Sequence, residues 1–273
     1  MTILAVVVGI VVVLVGLGWL GTRVNLRSFA VPPLESRNLG TIPLPTDLPA
    51  PVARYAAAVF GEAIPIVESS LVIGTAQATF NGITLPARFK FYHESGRNYY
   101  HYIQAGWFGL PLATVNERYL DGIGILDIPG QYVENNAEVN AAANQGLWSE
   151  HIWSPSVWFT DPRIRWEAVD DNTARLIIPN AADEEVFTVR FDPDTHLITE
   201  MSTLRYRNPG DTARTPWTPR IHEWQAFNGV MVPSVSSLQW GNDAPWVTWR
   251  VEAVLYNVDV SARLAQFGGD YTD

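Results

Sequence analysis

The sequence predicts a mainly β protein in which a large curved antiparallel sheet forms an open half-barrel, with a helix across its mouth and one N-terminal transmembrane helix. Three observations predict this class. An uncharged apolar run opens the chain, many short β-rich runs are separated by turn residues, and only one further convincing helical segment interrupts them. Because 47% of the 273 residues are apolar, the chain can bury a sizeable core.

The first segment has the composition of a membrane span. Residues 3–20 read ILAVVVGIVVVLVGLGWL and carry no charge, and a helix of that length rises about 27 Å, enough to cross a hydrocarbon core. A cleavable signal peptide would have basic residues before this run and a small-residue cleavage site after it, so we expect an uncleaved anchor. Arg23, Arg27 and Arg37 follow the span, which favours a cytoplasmic soluble part.

The rest of the chain divides by composition. A proline-rich stretch without apolar periodicity predicts an extended linker. After it, PAPVARYAAAVFG predicts a short helix that ends at Gly61. A second helix, the lid helix, is predicted near 135–153 because Val139, Ala143 and Leu147 follow helical spacing. We expect a transmembrane anchor at 1–22, a linker at 23–48, a β domain at 49–260 and a tail at 261–273.

Alternating runs predict the strands. In VFTVRF, Phe187, Val189 and Phe191 share one face, opposite Thr188 and Arg190. The run WVTWRVEAVLY has one apolar face and one mixed aromatic face. Turn-like connections make the strands neighbours in an antiparallel meander. Such a sheet suggests an open barrel holding a helix or a ligand, with a two-layer sandwich as the alternative.

Composition and motifs exclude several function classes. A net charge of −10 with a single lysine argues against a nucleic-acid partner. The absence of cysteine excludes disulfides, thiolate metal sites and a cysteine nucleophile. The sequence has no phosphate loop, dinucleotide fingerprint or Gly-x-Ser-x-Gly elbow. We therefore expect no cofactor and assign no catalytic residue, which favours a protein without enzymatic activity.

The histidines do not predict a metal site. None forms a His-x-x-x-His pattern on a helix. His93 and His101 flank a Ser95-Gly96 turn, and a loop of two or four residues there would send their imidazoles to opposite faces of the sheet. A loop of three residues would place them together, so that alternative stays open.

The stretch GLWSEHIWSPSVWF, residues 146–159, places Glu150 beside His151 among aromatic residues. A buried Glu150 needs a cationic partner, and Arg163, Arg165 and Arg175 are the nearby candidates. Glu150 is either a polar anchor or general base in an aromatic pocket, or half of an ion pair that locks the helix to the next strand; we favour the ion pair. The candidate pocket residues are Trp107, Phe108, Leu147, Trp148, Glu150, His151, Trp153, Trp158, Phe159 and Trp166.

Several segments together resemble an uncharacterised bacterial family. These are RYLDGIGIL, LWSEHIWSPSVWF, the run Trp166–Ala174, and Gly229 with Pro233 in FNGVMVPS. They resemble domain of unknown function 6544 over about residues 50–258, a family that has no activity to carry over.

A fainter likeness, in RFDPDTHLI, FNGVMVP and the closing strand, is to the lipoprotein-carrier fold of the periplasmic lipoprotein localisation factors. That resemblance implies an unclosed β-barrel with an apolar cavity and an extracytoplasmic location, which conflicts with the arginine bias.

The sequence thus favours a single-pass membrane protein whose partners are the lipid bilayer and a hydrophobic ligand, a lipid or an acylated molecule. The alternative is a structural or interaction subunit of a membrane protein assembly. A hydrolase or isomerase using Glu150 is the third hypothesis.

Overall fold

The computed structural model describes residues 2–80, 82–180 and 184–266. It begins with helix α1, Thr2–Gly21. Within α1, Leu4–Gly21 is long and apolar enough to cross a membrane, and only 6% of this window is buried against the rest of the protein. A membrane anchor and a signal sequence share these properties.

One antiparallel sheet of 13 strands dominates the fold, and it is not closed into a barrel. The predicted fold class, mainly β with few helices, is therefore confirmed. A separate small sheet pairs β1, Thr41–Pro43, with β2, Ala63–Pro65. The large sheet contains β3 Ser69–Phe80, β4 Ile83–Glu94, β5 Asn98–Trp107, β6 Leu110–Leu120, β7 Ile123–Ile128, β8 Gln131–Glu134, β9 Arg165–Asp170, β10 Thr173–Pro179, β11 Glu184–Phe191, β12 Ile198–Arg205, β13 Thr215–Phe227, β14 Val230–Trp240 and β15 Val247–Tyr256.

The chain enters this sheet at its centre. From β3 it meanders outward to the edge strand β8, crosses to the opposite edge at β9, and meanders back to β15. β15 pairs with β3 from Val247↔Ala78 to Tyr256↔Ser70, so the last strand of this sheet lies beside its first strand. Every other neighbouring pair is consecutive in the chain, as expected for hairpins.

The crossing between the two edges is made by helix α3, Ala137–Glu150, which is the predicted lid helix. Asn136 caps its first turn by accepting a hydrogen bond from the Val139 backbone N–H. Asn144 then accepts from the Tyr119 hydroxyl on β6 and donates to the Pro179 carbonyl on β10. The helix is thereby bonded to both halves of the sheet. The remaining helices are α2 Ala50–Phe60, a 3₁₀ turn His151–Trp153, α4 Val157–Thr160 and α5 Ser261–Ala265.

Each face of the central strands is covered differently. The concave face packs against α3, the 3₁₀ turn and α2 around a core that includes Phe89, Phe91 and Trp249. The convex face buries a smaller tyrosine-rich cluster under the segment after α1 and the segment around α5. In the segment after α1, the Phe29 ring lies 4.1 Å from the Arg88 guanidinium carbon, so part of the predicted linker lies against the domain.

Candidate functional site

His93 and His101 lie on the same, concave face of the sheet. The β4–β5 turn has three residues, Ser95–Arg97, and it pairs His93 with Tyr99 and Phe91 with His101. The register expected from a loop of two or four residues is therefore wrong, and the three-residue alternative is the one that forms. Residues two apart along a strand share a face, so both imidazoles point toward α3.

Glu150, at the end of α3, meets both imidazoles. Its Oε2 lies 2.8 Å from His93 Nε2 and 2.7 Å from His101 Nε2. The contact with His93 is a hydrogen bond. The approach to His101 lacks hydrogen-bond geometry, so among the described residues His101 Nε2 has no hydrogen-bond partner. Only 2–3% of each histidine side chain and 20% of the glutamate side chain are exposed.

A second carboxylate, that of Glu117, contacts the ring nitrogen of His101 that does not face Glu150. Glu117 lies opposite His101 on β6 and places Oε2 3.2 Å from Nδ1. The rings of Tyr99 and Phe91 lie on His101 with centroid separations of 4.0 Å each. These contacts fix the orientation of the imidazole and direct Nε2 toward Glu150.

Charge coupling sets the protonation of this cluster. Burial alone would raise the pKa of Glu150, but the charge of His101 and the hydrogen bond from His93 outweigh it and hold that pKa below its usual range. Burial alone would lower the pKa of His101, but Glu150 and Glu117 outweigh it and raise that pKa. Burial lowers the pKa of His93. The cluster thus combines an ionised carboxylate with one charged and one neutral imidazole at neutral pH.

The hydrogen bonds of His151 run to Gly96 and Ser154, which indicates a structural role. Its Nε2 accepts a hydrogen bond from the Gly96 backbone N–H at 3.0 Å. Nδ1 must then carry the proton, which it donates to Ser154 Oγ at 2.9 Å. Complete burial lowers the pKa of His151 to about 3, so the ring stays neutral. It joins the end of α3 to the β4–β5 turn.

The prediction of an arginine partner for Glu150 is wrong, because His93 on β4 and His101 on β5 contact its carboxylate instead. Arg163 instead pairs with Asp161 and donates to the Gly96 carbonyl. Arg165 pairs with Glu184, 2.6 Å away. Arg175 is exposed on β10. The ion pair that the sequence favours, between the helix and the strand after it, does not form.

The other candidate pocket residues, Leu147 and the aromatic ones, lie in two separate places. Leu147, Trp148, Trp153 and Trp158 are buried, and Trp158 Nε1 donates to the Trp148 carbonyl at 2.9 Å. Phe159 and Trp166 pack against the same core. Trp107 and Phe108 lie instead at the end of α1, where Trp107 Nε1 donates to the Gly18 carbonyl and the Phe108 N–H to that of Gly21. The candidates do not form one pocket wall.

The space beneath α3 is distributed unevenly. Next to Glu150, an inner cavity of about 40 Å³ is lined by Ser149, Trp153 and Trp217, among others. It has room for about two water molecules. Much more space lies beside the first half of α3, in a concave groove of about 660 Å³. Its walls include Phe80, Tyr99, Glu117, Val139, Ala142, Arg205, Trp217, Trp240 and Trp246.

The sequence predicts an open barrel that holds a ligand, but none of the candidate pocket residues lines this concave groove. Trp217, Trp240 and Trp246 are far from the aromatic stretch at 146–159, and the groove forms only when β13 and β14 face α3 across the mouth. The mixed aromatic face of WVTWRVEAVLY was the one signal that pointed toward it.

A second groove, of about 1000 Å³, lies beside the end of α1. Val15, Trp19, Ile83 and Trp107 line it, and Phe80 lines both this groove and the concave groove. Phe80, at the end of β3, is therefore a boundary of both grooves.

The fold and the buried His–Glu cluster define a half-barrel protein with a lidded concave face. Residues 41–251 match the family of unknown function DUF6544, and the chain belongs to that family. Among the curated proteins, none matches the sequence.

Several solved structures resemble the fold. A LolA superfamily protein from Nitrosomonas europaea shares 9% identity at a TM-score of 0.48, covering 80% of this chain and 96% of its own. A DUF1329 family protein from Desulfovibrio piger shares 12% sequence identity at a TM-score of 0.41, and the match covers 72% of this chain and 90% of that protein. An outer membrane lipoprotein-sorting protein domain from Vibrio parahaemolyticus shares 8% sequence identity at a TM-score of 0.41, and the match covers 76% of this chain and 88% of that domain. Identities and TM-scores this low do not carry function from those proteins to this chain.

Proposed function

We propose that this protein is anchored in a membrane by α1 and binds an amphipathic lipid or acylated molecule in the concave groove. The observation that carries the proposal is that Phe80 borders both the concave groove of about 660 Å³ and the groove beside the apolar helix. A volume of this size suits a small-molecule ligand. The aromatic walls would contact an acyl chain, and a ligand leaving the bilayer would reach them without crossing bulk water.

The groove also offers a cationic end. The Arg205 guanidinium carbon lies 4.5 Å above the Trp217 ring, and Arg207 lies 5.7 Å above Trp240. Arg207 is already paired with Asp243, whereas the buried Arg205 Nε has no hydrogen-bond partner within residues 2–80, 82–180 and 184–266. Arg205 would therefore be the contact for an anionic head group, with the tryptophan rings beside the chain.

The hairpin tips beside α1 support a location at the bilayer surface. Trp107 contacts the last turn of the helix, so the β5–β6 tip is level with the end of the span. Exposed apolar side chains cluster at this tip and at the neighbouring β3–β4 tip, where amphipathic rings and aliphatic chains would meet the membrane interface. They are Phe80, Ile83, Trp107, Phe108, Leu110 and Leu112, each at least 41% exposed.

The test is photo-crosslinking in membranes with a fatty acid that carries a diazirine. The full-length chain is labelled in its native bilayer, and the labelled peptides are identified by mass spectrometry. We expect label on α1, which serves as the internal reference, and also on peptides containing Ile125–Gln131 and Trp240–Trp246. Label confined to α1 and the hairpin tips would overturn the proposal.

A matched pair of variants tests the groove itself. Ala142 lines the groove, so Ala142→Trp should fill it and reduce groove labelling several-fold relative to α1. Ala137 is exposed at the first position of the same helix and serves as the control, because Ala137→Trp should leave the labelling unchanged. Equal groove labelling in both variants would contradict the assignment.

The alternative of an interaction subunit that pairs through a sheet edge has less support. The edge strand β9 carries Arg165, Glu167 and Asp170, and the other edge, β8, has only four residues. Charged side chains and short length are features that oppose edge-to-edge pairing.

A further inference from the structure

The three groups that converge at the end of α3 have the chemistry of metal ligands. His93 Nε2, His101 Nε2 and a Glu150 carboxylate oxygen all lie within 4.8 Å of one another. They come from three different elements, β4, β5 and α3, and all three are held on the concave side of the sheet. Within the part of the chain that the structure describes, His101 Nε2 is buried without a hydrogen-bond partner, and it lies 2.7 Å from the same Glu150 oxygen that His93 contacts.

We propose that His93, His101 and Glu150 form a binding site for a divalent transition-metal ion. The inference is independent of the groove ligand and replaces the sequence-based expectation of no metal site. Two imidazoles and one carboxylate suit zinc and its neighbours in the first transition row, whereas magnesium and calcium prefer oxygen ligands alone.

The distances require one adjustment, at Glu150. With bonds of about 2.0–2.1 Å, neighbouring ligand atoms around a tetrahedral ion lie about 3.3–3.4 Å apart. The present contacts of 2.7 and 2.8 Å to Glu150 are about 0.6 Å shorter than that separation. Withdrawal of the Glu150 carboxylate by about that amount would open the space that the ion needs.

The contact behind His101 is the second observation. Histidines that bind metals usually give their other ring nitrogen to a carboxylate, which fixes the tautomer and orients the ring. Glu117 occupies that position, 3.2 Å from Nδ1. A lone hydrogen-bonded His–Glu pair would not need this second carboxylate on the far side of the ring.

Water and an entry path are both close. Glu150 lines the inner cavity of about 40 Å³, which has room for about two waters to complete the coordination shell. Trp217 lines both this cavity and the concave groove, and Glu117 also lines the groove. The ion would thus enter from the concave groove past Trp217.

The experiment is a titration of the purified full-length chain with Zn²⁺ and Co²⁺ after chelator treatment. We expect one ion per chain, with visible absorption from bound Co²⁺. His93→Gln and His101→Gln should each weaken binding at least about 100-fold. The control is His222→Gln, since His222 contacts Ser237 on the sheet and not the cluster; it should bind as the unaltered chain does.

Saturable binding that survives in both cluster variants, or no saturable binding in the unaltered chain, would overturn the proposal. If the variants do not fold, X-ray absorption of the zinc-loaded, unaltered chain decides the question. Two imidazole ligands would support the site, and fewer than two would refute it. Loss of metal binding with groove labelling retained would leave the proposed ligand function standing.

Discussion

Glu117 and His101 are direct partners in the β5–β6 register, and their side chains meet on the concave face with 3.2 Å between Oε2 and Nδ1. Because Glu117 holds one side of the ring, the other nitrogen is fixed in the direction of Glu150. The orientation of this imidazole is therefore determined by the sheet register and not by the helix.

Removing the charge of Glu117 should weaken metal binding without removing a ligand. We expect Glu117→Gln to lower the Zn²⁺ affinity about 10–100-fold, because the ring loses the carboxylate that orients it. Competition with a chromogenic chelator measures the change. Glu138→Gln is the control, since Glu138 also lines the concave groove but accepts its hydrogen bond from the Gly210 N–H; an equal effect of both variants would indicate general electrostatics instead.

Glycine substitutions at two buried positions should have opposite effects on stability. At Gly74, in β3, an added methyl group would overlap the Arg250 carbonyl on β15 and the Phe89 ring. We expect Gly74→Ala to lower the free energy of unfolding by about 1–3 kcal/mol. At Gly146, in α3, the nearest atom would be 3.7 Å away. Gly146→Ala should raise stability by about 0.5–1 kcal/mol. Denaturant unfolding measures both, and equal signs would contradict the packing described.

The cap of α3 should contribute measurably to stability. Asn136→Ala removes the acceptor that satisfies the Val139 N–H, at a cost of about 1 kcal/mol. Asn136→Asp keeps an acceptor and should be nearly neutral. Thermal unfolding of the two variants compares them directly, and an Ala variant as stable as the Asp variant would show that the cap is not needed.

The contact between α1 and the β5–β6 hairpin should depend on Gly21. An added methyl group there would overlap the Trp107 indole, so Gly21→Ala should displace the ring from the end of the helix. At Gly16 the described structure places no atom within 4 Å of the corresponding position apart from the neighbouring backbone of the same helix, so Gly16→Ala is the matched control. We expect the melting temperature in detergent to fall for Gly21→Ala alone. A similar melting temperature for both variants would mean that the contact is loose.

Local signals predicted most of the fold, and non-local pairings account for what the sequence did not reveal. Alternation in VFTVRF gave the β11 faces correctly, with Phe187, Val189 and Phe191 buried. Turn residues indicated the hairpins between consecutive strands. The β3–β15 pair has no such signal, because its residues are far apart in the chain and no turn connects them.

The candidate site was only partly predictable for the same reason. Glu150 was identified from its aromatic surroundings, but its partners depend on whether the β4–β5 loop has two, three or four residues. A difference of one residue moves one imidazole to the other face of the sheet. Trp158 is among the predicted pocket residues although its side chain is packed in the core, because composition alone does not distinguish a cavity wall from a packed core.

The pairing of the last long strand with the first has a consequence for biosynthesis. As the chain is made from its N-terminus, β3 to β8 can assemble by local hairpins, but the free side of β3 stays uncovered until β15 has been synthesised. During that interval the nascent half-sheet exposes a long edge of unpaired backbone N–H and C=O groups, a rim that favours self-association. A chain that stops before residue 247 would keep that rim permanently, so premature termination should yield aggregates and not a smaller folded protein.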